Sequence, residues 1–196
     1  MKGYTDIESV ENYLLTSIDS GFAAQVEDWI AAMEAYVDNI TGRNFIADSV
    51  ASQRVYDGDN TTSLIIDDCV QITSVQIGSE AALNKDESDV DDDYYIYPLN
   101  ILPKTGIRLV NGYFPSWPPQ TVKVTAKWGY SVEVPADIKH AVTLLVAGII
   151  NFGNQAEGEI QSMSIGRYNV TYKDNKQWED FQKLDKVFEH YKKYTI

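Results

Sequence analysis

The densest cluster of ionisable groups is the acidic run Asp86, Glu87, Asp89, Asp91, Asp92 and Asp93. Alternating carboxylates suit a calcium loop, but such a loop also needs glycine at its sixth position and glutamate at its twelfth. Counted from Asp89, those positions hold Tyr94 and Asn100, so an EF-hand fails. The run reads as a solvated hairpin loop, with a looser Mg²⁺ or Ca²⁺ site as the alternative. The only histidines, His140 and His190, lie on different expected helices, and no HExxH or CxxC spacing occurs. Neither a GxSxG elbow nor a GxxxxGK phosphate loop is present. A Ser–His–Asp triad or a glycosidase-type carboxylate pair would have to assemble across the fold, and nothing local indicates either. Cys69 is the sole cysteine, which rules out an internal disulfide and favours a reducing compartment. Between Asp68 and Val70 it reads as a small apolar filler rather than a nucleophile. No catalytic, cofactor or metal residue is assigned, and the chain reads as non-enzymatic.

Charge and aromatics point instead to contacts with other macromolecules. The net charge of −13 argues against a duplex-binding surface, which needs a basic footprint. Residues 1–45 carry −6 and residues 46–134 carry −7, whereas residues 135–196 are balanced. Most of the thirteen tyrosines and four tryptophans fall on expected apolar stripes or strand faces, which suits packing better than base or sugar stacking. Trp117 differs, flanked by Pro115, Pro118 and Pro119 on a loop that cannot enter a sheet. It is either an exposed partner anchor or a lid over the core. The early acids Asp6, Glu8 and Glu11 replace the apolar stretch of a signal peptide, and the longest apolar run, Ala141 to Ile150, is about half a membrane span. A soluble, intracellular protein with no membrane contact is expected.

The elements that position these residues follow from periodicity. Thr5 with Glu8 resembles a capping box before a helix near 6–18, which Ser20-Gly21 breaks. A longer helix carries Phe22, Val26, Trp29, Ile30, Met33, Tyr36, Val37 and Ile40 as one stripe, with Glu27, Asp28, Glu34 and Asp38 mostly outside it, and ends at Gly42. From Phe45 to Tyr130 short strands alternate with turns. They cover Val55-Tyr56, Leu64–Ile66, Ile72–Ile77, Tyr94–Tyr97, Ile107–Val110 and the alternating Val122, Val124, Ala126. Asp57-Gly58-Asp59-Asn60 and Asn111-Gly112 are turns. Pro135 fits a helix start, and Ile138, Ala141, Val142, Leu145, Ile149 and Phe152 form the next apolar face. A hairpin over Met163–Tyr172 precedes a last helix with Trp178, Phe181, Leu184, Phe188 and Tyr191. The expected class is α+β: a helical body over 1–45 and 131–196, with a β insertion over 46–130 that forms an antiparallel sheet or barrel-like region.

Five segments in order also resemble the head–tail connector (adaptor, or head completion) proteins of long-tailed bacteriophages. They are Ile30–Phe45, ending in a Thr-Gly-Arg-x-Phe step; Tyr56–Gly78; the tyrosine-rich strand with its partner, Thr105–Leu109; Trp117–Val142, with its Lys-Trp-Gly-Tyr turn; and Ser162–Tyr172. The resemblance implies a structural virion protein of the neck, assembled in the host cytoplasm. It implies a ring, commonly of about twelve subunits, beneath a portal protein and above a stopper or tail-completion protein. DNA would pass through the channel without specific binding, and no cofactor is implied. Trp117, Lys183, Lys186, Tyr191, Lys192 and Lys193 are the candidate portal or partner interface. Ala24, Ala31 and Ala35 on the second helix are the candidate inter-subunit face, with close packing inside one subunit as the alternative. Asp86, Glu87, Asp89, Asp91, Asp92 and Asp93 line either the channel or a solvated loop. A tail or baseplate interaction module, and a carboxylate-based hydrolase, remain the other classes.

Overall fold

The computed structural model describes residues 2–85, 92–154, 161–165, 168–172 and 175–193, without the side chains of 152–182. In chain order the elements are α1 (Ile7–Leu14), α2 (Ser20–Thr41), β1 (Ser52–Tyr56), β2 (Ser63–Ile77), β3 (Tyr94–Tyr97), β4 (Lys104–Leu109), β5 (Val122–Trp128), α3 (Ala136–Asn154), β6 (Gln161–Ile165), β7 (Tyr168–Tyr172) and α4 (Asn175–Tyr191). The chain falls into two units, Met1–Arg43 with Val134–Ile196, and Asn44–Glu133. The mixture is α+β.

In the helical unit α3 is packed by α1, α2, α4 and β7, so every residue from Ala141 to Ile150 is buried. The one-sided stripe expected from its sequence is therefore too narrow: from Ala141 to Ile150 neighbours cover the helix all round, while Asp137 and His140 before that stretch are exposed. Helix α2 buries Val26, Ile30, Met33 and Val37 at helical spacing. Glu34, expected outside that stripe, is 1% exposed. Its carboxylate accepts the backbone N–H groups of Lys2 (2.5 Å), Gly3 (2.8 Å) and Tyr4 (2.7 Å). One turn on, Asp38 accepts the Tyr4 hydroxyl at 2.6 Å and pairs with the Lys2 ammonium. Charge burial is tolerated because the donors surround it.

The first helix is shorter than expected and starts one residue later. Asp6 is its N-cap, accepting the Ser9 N–H at 2.7 Å, and Leu15 ends it in the left-handed region. Thr5 is buried and hydrogen-bonded to Thr143 at 2.6 Å. Since the Thr143 hydroxyl donates to the Lys139 carbonyl (2.8 Å), Thr5 is the donor in that pair. Ser20-Gly21 opens α2 rather than breaking the chain, with Asp19 as N-cap accepting the Gly21 N–H. Pro135 directly precedes α3, and its carbonyl accepts the Lys139 N–H at 2.9 Å.

The β unit holds one antiparallel sheet in the order β1-β5-β2-β4-β3. Its outer strands are β1 and β3, and it does not close into a barrel. The two strands expected at Leu64–Ile66 and Ile72–Ile77 are one, β2, which runs through the polar Asp67-Asp68 with three register shifts. Those bulges let its first half pair with β4 and its second with β5, the change falling at Cys69, which faces both Lys104 and Trp128. Along β5, buried Val122, Val124, Ala126 and Trp128 alternate with Lys123, Thr125 and Lys127. These join Leu64, Ile66, Val75, Ile107 and Phe114 in the core.

Beyond β5, Gly129 lies at φ +139, and a Cβ there would be 2.5 Å from the Ala47 Cα. Only glycine allows the segments to touch. Around it, Gly129 donates to the Asp68 carbonyl, Tyr130 to Asn44, Asp48 to Trp128 and Ala47 to Ser131, all at 2.8–2.9 Å. Gly129→Ala should cost about 3 kcal/mol or prevent folding of the β unit, read as a lowered urea midpoint. Glu34→Leu removes the acceptor of three backbone donors, of which that of Tyr4 is buried, and should cost about 2 kcal/mol, with faster amide exchange at Gly3 and Tyr4; unchanged exchange there would refute the anchoring role.

Candidate functional site

Trp117 is 80% exposed, while Phe114, three residues earlier, is buried in the β core. The loop between them is fastened to the Asp57-Gly58-Asp59-Asn60 turn. Phe114 donates to the Thr61 carbonyl and accepts from the Asn60 N–H, both at 2.8 Å. The Asn60 side chain accepts the Ser116 N–H at 3.0 Å and donates to the Ser116 hydroxyl at 2.7 Å. Gln120 donates to Asp57 at 2.5 Å, which fixes the far end. A Cβ on Gly58 would lie 2.4 Å from the carbonyl oxygens of Phe114 and Pro115, so the two loops need glycine to approach. Two hydrogen bonds from Thr61 hold the Asp59 carboxyl below its ordinary range. Three prolines and this clamp present Trp117 in a fixed position.

A second feature lies in the helical unit. A groove of about 230 Å³ is lined by Tyr13 of α1, Asp137, His140 and Leu144 of α3, and Lys183, Leu184 and Val187 of α4. Leu144 and Leu184 are buried and form its floor. The Tyr13 and His140 rings meet edge to face at 6.3 Å. The Tyr191 hydroxyl lies 3.0 Å from both Asp137 oxygens, and the Tyr191 carbonyl accepts the Arg43 Nε–H at 2.5 Å. Tyr191 is thus built into the helical unit, as is Lys193, whose N–H donates to the Thr41 carbonyl at 2.7 Å. Lys183, Lys186 and Lys192 are exposed, Lys192 pairing with Glu189 at 3.1 Å. On α2, Ala24 and Ala35 are exposed and Ala31 is half-buried.

A third surface covers β2, β4 and β3. Ile65, Gly106 and Tyr97 are in register, as are Ser63, Arg108 and Tyr95. Ile65, Tyr95, Tyr97, Leu99, Ile101 and Leu102 are exposed apolar residues of this surface, and the Lys104 ammonium, 2.6 Å from the carbonyls of Pro98 and Leu99, holds the loop after β3. The uncharged run Tyr94–Pro103 was a usable signal for this patch. The groove had none, because three helices separated in sequence build it.

Asp86, Glu87, Asp89 and Asp91 fall outside the described residues. Asp92 pairs with Lys85, and Asp93 accepts the Asn84 N–H at 2.6 Å, closing the base of the loop. Among the described residues no three metal-ligating side chains are grouped, and no helix is long and apolar enough to cross a membrane. A cleft of about 370 Å³ in the β unit carries two acids, Glu80 and Asp93, but Asp93 is spent on that loop closure.

Burial pushes the Cys69 thiol up from 9.0 to about 12, and the Tyr94 hydroxyl up from 10.0 to about 12. The unfolded chain ionises both groups at the lower values, so their contribution to stability is complete below pH 9 and is lost as pH rises to about 12. Unfolding should accordingly become easier across that window. At pH 8, native Cys69 should resist a thiol reagent and react only after urea is added; reaction in the native state would contradict the burial.

The fold has counterparts among solved structures. A chain in "Neck of empty GTA particle computed with C6 symmetry" aligns with a TM-score of 0.60 and 12% identity, covering all of this chain and 93% of that one. Another, from "Virion of native gene transfer agent (GTA) particle", gives 0.55 and 14%, covering 96% and 89%. A third, from "Neck of native GTA particle computed with C12 symmetry", gives 0.50 and 15%, covering 90% and 86%. At these identities the likeness is one of fold. No curated protein matches the sequence. The sequence itself matches the family described as "HCP: Head completion protein" over residues 5–194, which spans both units, and the chain therefore belongs to the head completion protein family.

Proposed function

We propose that this head completion protein is a non-enzymatic, structural connector of the virion neck. It assembles as a ring under the portal and joins the DNA-filled head to the stopper or tail, leaving a channel for DNA. The observation that carries this reading is the family match across residues 5–194, joined to a fold shared over the whole chain with a subunit from a GTA neck solved with C6 symmetry. A related neck was solved with C12 symmetry, which supports a ring of about twelve copies.

The charge distribution supports the same reading. A conduit must not hold its cargo, and acidic surface before Pro135 repels phosphates and lets a duplex slide. Part of that surface faces the channel. The exposed Lys186 and Lys192, in the charge-balanced final third, meet an acidic surface of the portal. The small, exposed Ala24 and Ala35 let a neighbouring subunit approach α2 closely.

Native mass spectrometry and negative-stain imaging, alone and with portal, test the ring; a chain that stays monomeric even on the portal would overturn it. Lys186→Glu with Lys192→Glu should weaken portal attachment about tenfold while leaving the melting temperature within about 2 °C.

A further inference from the structure

The clamped Trp117 and the groove on the helical unit have matching chemistry. A volume of about 230 Å³ is below the ~300–1,000 Å³ typical of small-molecule sites and suits one large side chain. An indole needs an apolar floor, ring edges to pack against and an acceptor for its single N–H. The groove supplies Leu144, Leu184 and Val187 as floor, and Tyr13 and His140 as walls. Asp137 is the acceptor: the Tyr191 hydroxyl and the Ile138 N–H use only part of a carboxylate that has about four lone-pair sites.

Charge selects the source of that indole. Two copies of a chain carrying −13 repel each other unless they meet where charge is low. No charged residue occurs from Leu109 to Val122, the stretch that carries Trp117, and residues 135–196, which contribute most of the groove, sum to zero. The Trp117 ring is exposed on its own unit.

We propose that Trp117 of one copy seats in the Tyr13–His140–Leu144–Leu184–Val187 groove of the next copy. Because peg and groove are different patches, the contact is head to tail, the type that propagates until a ring closes. Clamping by Asn60 and three prolines removes ordering cost from the peg, which favours it as an interface hot spot. This inference rests on the ring reading and specifies one contact within it.

The test combines assembly with cross-linking in the full chain. Trp117→Ala, and Val187→Arg to fill the groove, should raise the concentration needed for ring formation at least about tenfold while both variants keep the wild-type melting temperature. Pro119→Cys and Lys183→Cys, mixed and treated with a short bismaleimide, should give a covalent dimer that neither gives alone; buried Cys69 does not compete. Loss of that dimer when Trp117→Ala is added to the peg copy is also expected. Rings that form normally with Trp117→Ala overturn the peg and leave the ring reading standing. Absence of the mixed dimer likewise overturns it. A wild-type chain that forms no ring but still gives the Trp117-dependent dimer retains the contact and overturns the ring reading instead.

Discussion

The β unit depends on one backbone contact, the approach of Gly129 to Ala47. The segment that brings the chain into this unit, Asn44–Asp48, is hydrogen-bonded to the segment that takes it out, Trp128–Ser131. Such a contact is possible only where a side chain is missing, since a Cβ would overlap the Ala47 backbone. Trp128, next to it, is held by its indole N–H on the Ser52 carbonyl at 2.8 Å, with the Arg54 guanidinium 4.5 Å from its ring. Arg54 in turn reaches Asp67 at 2.8 Å, and Asp67 also takes the Tyr56 hydroxyl at 3.0 Å. Burial raises that hydroxyl's pKa and keeps it a donor. A single permissive residue thus ties β1, β2 and β5 to the closure of the insertion.

Within the sheet, bulges around Cys69 redirect β2 from one partner strand to another. The buried thiol fills the corner, 3.6 Å from the Lys104 carbonyl, where a larger side chain would overpack. The turn before β2 and the loop before β5 then lie against each other, with Gly58 at the crossing. That crossing is why Phe114 is core and Trp117, three residues later, is surface.

Local signals were read correctly where local physics decides. The alternation of β5, the Gly42 helix end and the hairpin before α4 depend on neighbours in the chain, and periodicity or end-capping chemistry reveals them. Misreadings cluster where distant groups decide. Nothing near Glu34 in sequence announces that Lys2, Gly3 and Tyr4 will supply its donors, so a helix wheel assigns it to solvent. Asp67-Asp68 look like a strand break until Arg54 and Tyr56 are seen to accept Asp67 into the sheet. Thr5 matches a capping box, yet a partner 138 residues away, Thr143, takes its hydroxyl and Asp6 caps instead. The groove was illegible for the same reason, since Tyr13, His140 and Val187 meet only once three helices have packed.

A connector must meet two electrostatic demands that oppose each other. The surface along the DNA path should be acidic, yet copies of an acidic chain repel one another and resist closing into a ring. Partition of charge along the sequence reconciles them. Screening limits each charge to about 8 Å at physiological ionic strength, so a neutral contact region a few side chains wide is insulated from acids elsewhere on the surface. The uncharged Leu109–Val122 stretch and the balanced segment after Pro135 are such regions, one in each unit. Uncharged contacts must then gain their free energy from packing rather than attraction, and packing rewards a large rigid side chain in a fitted cavity. In the connector reading, the same acidity that keeps DNA sliding leaves an aromatic peg as the means by which neighbouring copies can hold together.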